Sequence, residues 1–425
     1  MPEHVVITGT GLASALGHKP GGVFQALLTG TTGIRILDNA TAKGLSGTEG
    51  APTAALGLDS MEITPRLANL MEKHLSLLFH ASSQALAVHR FRTPSLAPEE
   101  IGFYAGMGMV DYAIEDLLPA VDKSRDSHGN LDYGRFYAEG YREIYPLWPL
   151  AMLNNVAFCQ VAISLGLRGV NAVFSPHADA AVHAIAEGVA SLRAQTAKLV
   201  LAGGVSETLS PLSLNRARLS GILPPPDGSP SGCQPFAAHR YGTVLGEGAG
   251  MIAMELESTA HACGSRALAR VTGCGFSCEP SNTTGGSSSN ALARAMSQAL
   301  DAAGLEPEAV DVVMAHGDGT VDGDGYELEA IQQVFEEVIA SLPVFSSKGA
   351  LGHLQAGAPS LDIILATQMI ENQVIPPCPF SVPLDSRVEF MVAAEKPLST
   401  KVKTVLINAC SPEGPCATMV LEAFS

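Results

Sequence analysis

The sequence is poor in positive charge. Only 25 of its 425 residues are Lys or Arg, against 42 Asp and Glu, which gives a formal net charge of −17. Nucleic-acid-binding proteins need clustered Lys and Arg to neutralise phosphates, and no such cluster stands out here. We therefore expect no nucleic-acid partner, although a local basic patch could still dock an acidic protein.

Long apolar runs are also missing. No uninterrupted stretch approaches the ~18 residues that a membrane helix needs. The first four residues lead directly into the strand-like stretch 5–8, without the pattern of a secretory signal. We therefore expect a cytoplasmic protein that does not associate with membranes.

The eight cysteines are scattered through the chain rather than grouped. Cys274 and Cys278 are too isolated from other ligands to suggest a zinc site. We expect buried structural thiols in a reducing compartment, with no bound metal and no cofactor.

Apolar residues make up 46% of the chain, and it contains 43 glycines. This composition is typical of a tightly packed α/β protein with many strand–helix turns, and the length allows one large or two ordinary domains. The stretch 5–11 predicts a buried strand that ends in a glycine turn. Gly9 and Gly11 partly match a dinucleotide-binding fingerprint, but no second strand ending in an acidic residue follows at the required distance, so we do not expect such a site.

The rest of the chain is organised around residues 169–192. Asn171 to Phe174 predict a short strand, and Ser175-Pro176 a break with Ser175 as helix cap and Pro176 in the first helical turn. Apolar residues then recur at helical spacing, at Val182, Ile185, Val189 and Leu192. A strand that runs into a buried helix is a common position for a nucleophile, because the helix N-terminus lowers the pKa of a thiol.

This segment resembles the active-site segment of the beta-ketoacyl-ACP synthases, or ketosynthases. In that family the frame is roughly Gly-Pro-Asn, six further residues and then a Cys. Counted from Gly169, the Cys position holds Ala178. The usual Thr-Ala-Cys-Ser-Ser is replaced by Pro-His-Ala-Asp-Ala at 176–180, and His177 and Asp179 are expected to point away from the pocket. The frame is retained and the nucleophile is lost.

Other motifs of the same family follow in order. Residues 8–11 and 14–17 match its opening, and 246–250 match its Gly-Glu-Gly-Ala-Gly run. Two C-terminal segments, which carry the candidate active-site residues, match further motifs: 315–327 with His316 and Glu327, and 346–353 with Lys348 and His353. A third segment, 408–415, replaces the family motif Asn-Ser-Phe-Gly-Phe-Gly-Gly-Thr. The resemblance implies the thiolase fold, an α/β fold with two pseudo-repeated halves in five layers α-β-α-β-α. We expect the N-terminal half to span 1–255 and the C-terminal half 256–425.

The resemblance also implies what the site cannot do. In a ketosynthase the Cys takes the acyl chain, two histidines stabilise the enolate formed from malonyl-ACP, and the Lys and Glu hold that arrangement. Ala178 has no lone pair with which to attack, so we expect no condensation by this route. The gate loop is altered too: the family's gating Phe aligns with Pro412, a residue that limits loop motion, and the altered loop comprises Ser411, Pro412, Glu413 and Gly414. Because the surroundings have changed with the nucleophile, we interpret this as natural loss of the condensing role.

An inactive ketosynthase homologue of this kind resembles the chain-length factor of bacterial type II polyketide synthases. Such a subunit forms a heterodimer with a Cys-bearing ketosynthase and shapes the tunnel for a growing polyketide or polyene chain. The implied partners are that ketosynthase and an acyl carrier protein bearing a malonyl or polyketide chain on phosphopantetheine. Our candidates for tunnel or interface residues, each of which could also be an ordinary core residue, are Met107, Met109, Tyr112, Asn154 and Asn155.

Two alternatives remain open at the level of sequence. The first is a malonyl-ACP decarboxylase that supplies an acetyl starter, since two neutral histidines can stabilise an enolate without a thiol. The second is an acyltransferase of the same fold that uses Ser175 or His177 as nucleophile.

Overall fold

The computed structural model describes residues 3–38, 47–54, 56, 73–90, 96–112, 114–225, 232–279 and 288–424. Its strands are β1 Val5–Ala13, β2 Arg35–Ile36, β3 Glu49–Gly50, β4 Ile101–Met107, β5 Asn171–Phe174, β6 Leu199–Ser206, β7 Gly248–Leu256, β8 Ala269–Cys278, β9 Val312–Met314, β10 Val344–Phe345, β11 Val374–Ile375, β12 Leu398–Ser399, β13 Thr404–Cys410 and β14 Pro415–Ala423. Its helices are α1 Pro20–Leu28, α2 Lys73–Arg90, α3 Leu118–Lys123, α4 Tyr133–Ala138, α5 Trp148–Ala151, α6 Asn154–Leu165, α7 Asp179–Arg193, α8 Pro211–Leu219, α9 Glu257–Cys263, α10 Ser289–Ala303, α11 Val321–Phe335, α12 Lys348–Leu351 and α13 Ala358–Asn372.

Ten strands follow one hydrogen-bonded order, β10-β9-β13-β14-β8-β1-β7-β6-β4-β5. Each half of that order has the same pattern: the outer two pairs are parallel and the inner two are antiparallel. The halves meet where β1 pairs with β8 at Val5–Ile7. The two halves therefore repeat one topology, although their sequences share little literal repetition.

The helices separate the two halves into layers. Helix α2 packs on β1, β7 and β6, and α6 packs beside it on β4 and β5. Helices α7 and α13 lie between the halves, since α7 contacts β4, β6 and β14 while α13 contacts β7 and β13. Helix α10 covers β8 and β14, with α11 against it. The expected five layers α-β-α-β-α are confirmed, and the expected boundary at 255/256 falls at the end of β7.

Strand β1 runs further than the sequence predicted, and glycines in β1 and β4 lie close to helices. The strand β1 continues through Gly9 and Gly11 to Ala13, so the predicted glycine turn is wrong. A Cβ at Gly11 would lie 2.1 Å from the backbone oxygen of Ala81 in α2, and one at Gly106 in β4 would lie 2.4 Å from the backbone nitrogen of Ala181. These glycines allow a helix to pack directly on the sheet.

The predicted apolar face of the central helix is confirmed: Val182, Ile185, Val189 and Leu192 of α7 are all buried. The prediction of buried structural thiols is wrong for Cys159 and Cys278, which are exposed, and it holds for Cys233 and Cys378. Within the described ranges, no helix is both long and apolar enough to cross a membrane, and no three His, Cys, Asp or Glu residues are grouped to hold a metal ion.

Candidate active site

The central elbow lies between the end of β5 at Phe174 and the start of α7 at Asp179. Ala178 is the N-cap residue and is only 1% exposed. The predicted cap at Ser175 is wrong, because the helix starts three positions later than Pro176; the Ser175 hydroxyl instead accepts a hydrogen bond from Asn154 Nδ2 at 2.9 Å. The positive end of α7 thus carries a buried methyl group where a thiolate would be stabilised.

A cavity of about 50 Å³ opens in front of Ala178. Its lining includes His316 and His353, the Glu327 carboxylate and, from the gate loop, Ser411 and Pro412. His177 also lines it, so the expectation that this side chain points away from the pocket is wrong. A space of this size holds a few water molecules but not an acyl chain.

The two histidines meet edge to face, with ring centroids 5.0 Å apart and planes at 88°. Burial lowers the pKa of His316 well below its usual value, and the neighbouring His353 and Lys348 act in the same direction. Burial, followed by Lys348 and His177, lowers the pKa of His353 to about 3. Both rings are therefore neutral at neutral pH, each with one N–H to donate.

The free nitrogens of these rings face different surroundings. The Cys410 N–H donates to His316 Nδ1 at 3.3 Å, which leaves the proton of that neutral ring on Nε2. His353 Nδ1 is buried and finds no hydrogen-bond partner among the described residues. A buried nitrogen without a partner is costly.

Glu327 of α11 holds His316 through the backbone. Its carboxylate accepts hydrogen bonds from the N–H groups of His316 at 2.8 Å and Gly317 at 2.7 Å, and from Asn408 Nδ2 at 3.0 Å. Burial raises the pKa of Glu327, while these three donors favour its charged form. The carboxylate therefore positions the loop that carries His316 and ties it to β13.

Lys348 is held by a residue that the sequence analysis missed. Its Nζ lies 2.6 Å from Asp362 Oδ2, and both side chains are buried. The Ser347 hydroxyl donates to the other oxygen of Asp362 at 2.5 Å. Asp362 is a carboxylate within the apolar stretch 361–366 of helix α13, and this is the signal that could have revealed it, since a buried acid needs a partner.

The elbow and the altered gate loop are joined by side-chain contacts. The Ser411 hydroxyl donates to the Asp179 carboxylate and accepts from the Asp179 N–H at 3.4 Å. His177 Nε2 lies 2.8 Å from Glu413 Oε1. We name these two contacts the elbow–gate contacts; all four residues stand at positions where the sequence departs from the ketosynthase motifs. The loop is therefore closed over the cavity.

None of the five tunnel or interface candidates belongs to the described lining of this cavity. Met107 is buried in the core and Met109 is 42% exposed. Tyr112 packs edge-on against Trp148, with ring centroids 5.3 Å apart. Asn154 contacts the elbow through Ser175, and Asn155 is exposed. For Met107 the structure shows an ordinary core position, and the tunnel role of all five stays a prediction.

Comparisons with known proteins agree with this geometry. Residues 2–260 match the family model "Beta-ketoacyl synthase, N-terminal domain", and residues 268–380 match "Beta-ketoacyl synthase, C-terminal domain". Nodulation protein E of Rhizobium meliloti (strain 1021) is 29% identical over 99% of this chain and 100% of its own length. The 3-oxoacyl-[acyl-carrier-protein] synthase 2 of Staphylococcus aureus (strain COL) is 24% identical over 99% of both chains.

Solved structures share the fold over the whole length of both chains. The ishigamide ketosynthase/chain length factor superposes with a TM-score of 0.85 at 22% identity. The ketosynthase of AntDE:AntF, described as a type II PKS acyl-carrier protein in complex with its hexaketide-bound ketosynthase, superposes with a TM-score of 0.81 at 21% identity. With both family domains matched in order, this chain belongs to the beta-ketoacyl synthase family.

Proposed function

We propose that this chain is a non-catalytic chain-length factor, which pairs with a Cys-bearing ketosynthase and shapes the tunnel for its growing polyketide or polyene chain. The observation that carries the proposal is the methyl group of Ala178 at the head of α7. It stands in the position of the nucleophile, inside a ketosynthase fold whose Glu327 and Lys348 contacts are otherwise complete. A subunit without a nucleophile depends on a partner for condensation.

The distribution of exposed apolar side chains supports a partner. Of the 21 large apolar side chains exposed in the described chain, 13 lie between Met109 and Val170. We name this segment, with its helices α3 to α6, the apolar face. It adjoins β5, an edge strand that pairs only with β4 among the described strands. An exposed strand edge beside a concentrated apolar surface is typical of a protein–protein interface.

The solved structures that share this fold support the same assignment. One is a ketosynthase/chain length factor, and another is a type II ketosynthase in complex with an acyl carrier protein. We place the pairing in the cytoplasm. Because acyl carrier proteins are acidic and this chain has a net charge of −17, we propose that the carrier docks mainly on the partner subunit.

Native mass spectrometry tests the proposal, after co-expression of this chain with the ketosynthase whose gene lies nearest to its own. We expect a one-to-one complex in which the acyl chain is bound to the partner's cysteine alone. A self-sufficient homodimer that ignores the ketosynthase would contradict the assignment.

We infer a second candidate activity, decarboxylation of malonyl-ACP, from the histidine pair. Two neutral rings that line one cavity, with centroids 5.0 Å apart, can donate to the oxygen of a developing enolate. The cavity of about 50 Å³ and the elbow–gate contacts oppose this activity, because the gate loop must open before a malonyl group enters.

Carbon dioxide release from malonyl-ACP by the purified chain separates the two functions. If the histidines act, we expect release that is lost in His353→Ala and retained in His239→Ala, a change at an exposed histidine outside the described lining of the cavity. No release above the blank rate would remove this second activity and leave the chain-length factor proposal intact.

A further inference from the structure

Strands β13 and β14 form a hairpin whose tip is the gate loop. Cys410 and Cys416 are register partners at the base of that tip. The Ser411 N–H donates to the Pro415 oxygen at 2.9 Å, so 411 and 415 form a hydrogen-bonded pair and the cysteines form the adjacent non-hydrogen-bonded pair. In such pairs the Cα atoms lie about 4.5 Å apart, which is within the range of about 4.4–6.8 Å that a disulfide spans.

The two sulfur atoms already meet. Cys416 Sγ donates a weak hydrogen bond to Cys410 Sγ at 3.5 Å. A disulfide has a sulfur–sulfur distance of about 2.05 Å, and rotation about the two Cα–Cβ bonds can supply the remaining approach. The pair is thus placed for bond formation without movement of either strand.

The two thiols of the pair differ in exposure. Cys410 is half-buried and lines the cavity that the two histidines also line. Cys416 is buried and does not belong to the described lining of that cavity. Burial raises the pKa of Cys378 to about 12 and that of Cys274 to about 12, and the thiolate is the form that reacts. Those two cysteines are therefore poor competitors for an incoming disulfide, whereas the exposed Cys159 and Cys278 can also meet it. The buried Cys416 differs from Cys378 and Cys274 because its sulfur lies 3.5 Å from that of Cys410, so it needs to react only within the pair.

We propose that Cys410 and Cys416 form a reversible disulfide that fastens the base of the gate loop. The oxidant is a low-molecular-weight disulfide such as oxidised glutathione. The deprotonated Cys410 attacks one of its sulfurs and releases one small thiolate, and a mixed disulfide forms. The deprotonated Cys416 then attacks the Cys410 sulfur and releases the second thiolate. Two protein thiols are oxidised, one small disulfide is reduced to two thiols, and excess thiol reverses the sequence.

The bond would close a ring that contains the gate side of both elbow–gate contacts. Ser411 and Glu413 lie inside residues 410–416, and the Cys410 N–H holds His316 Nδ1. Oxidation therefore fixes the closed loop beside the histidine cavity. This inference concerns the state of the loop and stands whether or not the chain is a chain-length factor.

The full chain is incubated at graded ratios of reduced to oxidised glutathione, quenched with acid, alkylated with N-ethylmaleimide and analysed by intact mass and peptide mapping. We expect the oxidised protein to take up two fewer maleimide groups, and a peptide that contains the 410–416 linkage to lose the mass of two hydrogen atoms. Both changes reverse on addition of excess reduced glutathione.

Three variants make the result specific. Cys410→Ser and Cys416→Ser should each abolish the internal bond, whereas Cys378→Ser should retain it. Retention of all thiols across the glutathione range overturns the proposal. So does a stable glutathione adduct at Cys410 without an internal bond, or a linkage from Cys410 to the exposed Cys278. If Cys416→Ser does not fold, the peptide map of the wild-type chain decides the question alone.

Discussion

His353 illustrates how burial sets the chemistry of single residues at this site. Its ring lines the cavity near the buried Lys348, which forms an ion pair with Asp362. The lowered pKa means that the folded chain holds a neutral imidazole that the unfolded chain would protonate below its usual value of 6.5. A neutral ring can donate to an enolate oxygen, but it also makes folding sensitive to acid.

The pH dependence of stability tests this electrostatic environment. Between pH 6.5 and about 3 the unfolded chain binds the proton and the folded chain does not, so stability is full above 6.5 and falls as the pH decreases. The contribution of one such group is at most about 1.4 kcal/mol per pH unit. We therefore expect His353→Gln to flatten the pH dependence of the free energy of unfolding, measured in urea between pH 5 and 7.5.

The matched control is His239→Gln, at an exposed histidine, which should leave the slope unchanged. The raised pKa values of Glu327 and Asp324 act with the opposite sign, but they are common to all three proteins and cancel in the comparison. An unchanged slope in His353→Gln would show that the ring is protonated in the folded chain.

The sequence predicted the residues of the site better than their partners. The matching motifs identified Ala178, His316 and His353, which the fold does bring together around one cavity. The partner of Lys348 was missed because Asp362 lies on a different helix and belongs to none of the matching motifs. Side-chain contacts across elements depend on register and helix rotation, which motif spacing does not encode.

At the level of elements, the gate loop is held by two contacts of different strength. Ser411 bonds Asp179 at the N-terminus of α7, where the helix dipole favours the carboxylate. Glu413 is 61% exposed in its side chain, so its contact with His177 is screened by solvent and contributes little. The Ser411 contact is therefore the stronger link between loop and elbow.

Hydrogen exchange measures this link. A net hydrogen bond is worth about 1 kcal/mol, so Ser411→Ala should raise the exchange rate of the amides at 411, 413 and 414 about fivefold. Glu413→Gln should have a smaller effect, and Ser341→Ala, which removes a comparable hydroxyl from an exposed turn, should have none. Unaltered exchange in Ser411→Ala would mean that the loop is held by packing rather than by this contact.

Elements themselves were largely predictable, and the failures have physical causes. The strand β5 begins and ends as predicted, since a short apolar run between a glycine and a proline has few other conformations. The start of α7 was misplaced because capping propensity at Ser175 was outweighed by its tertiary contact with Asn154. The pairing of Cys410 with Cys416 depends on hairpin register, which a loop sequence with no family match does not reveal.

At the scale of the whole molecule, the tunnel prediction requires a partner chain in addition to this one. Tyr112 packs against Trp148 within the segment that forms the apolar face. If its ring limits the tunnel, Tyr112→Ala should lengthen the products of the reconstituted complex, and Tyr241→Ala, which lies outside that face, should not. Liquid chromatography with mass spectrometry of the released chains gives the answer. Unchanged length for substitutions at all five candidates would remove the tunnel assignment.

The apolar face also makes the pairing itself testable with a matched pair of variants. Ile163 on α6 is 70% exposed and lies in that face, whereas Leu219 at the end of α8 is 89% exposed and lies outside it. A carboxylate buried in an interface loses its hydration without gaining a partner, so Ile163→Asp should weaken binding of the ketosynthase at least about tenfold, equivalent to about 1.4 kcal/mol. Leu219→Asp should bind like the wild type.

Because both side chains are exposed in the single chain, neither change should alter its thermal stability by more than a few degrees. Titration of the purified subunits by isothermal calorimetry separates the cases, and equal affinity of the two variants would place the partner on another surface.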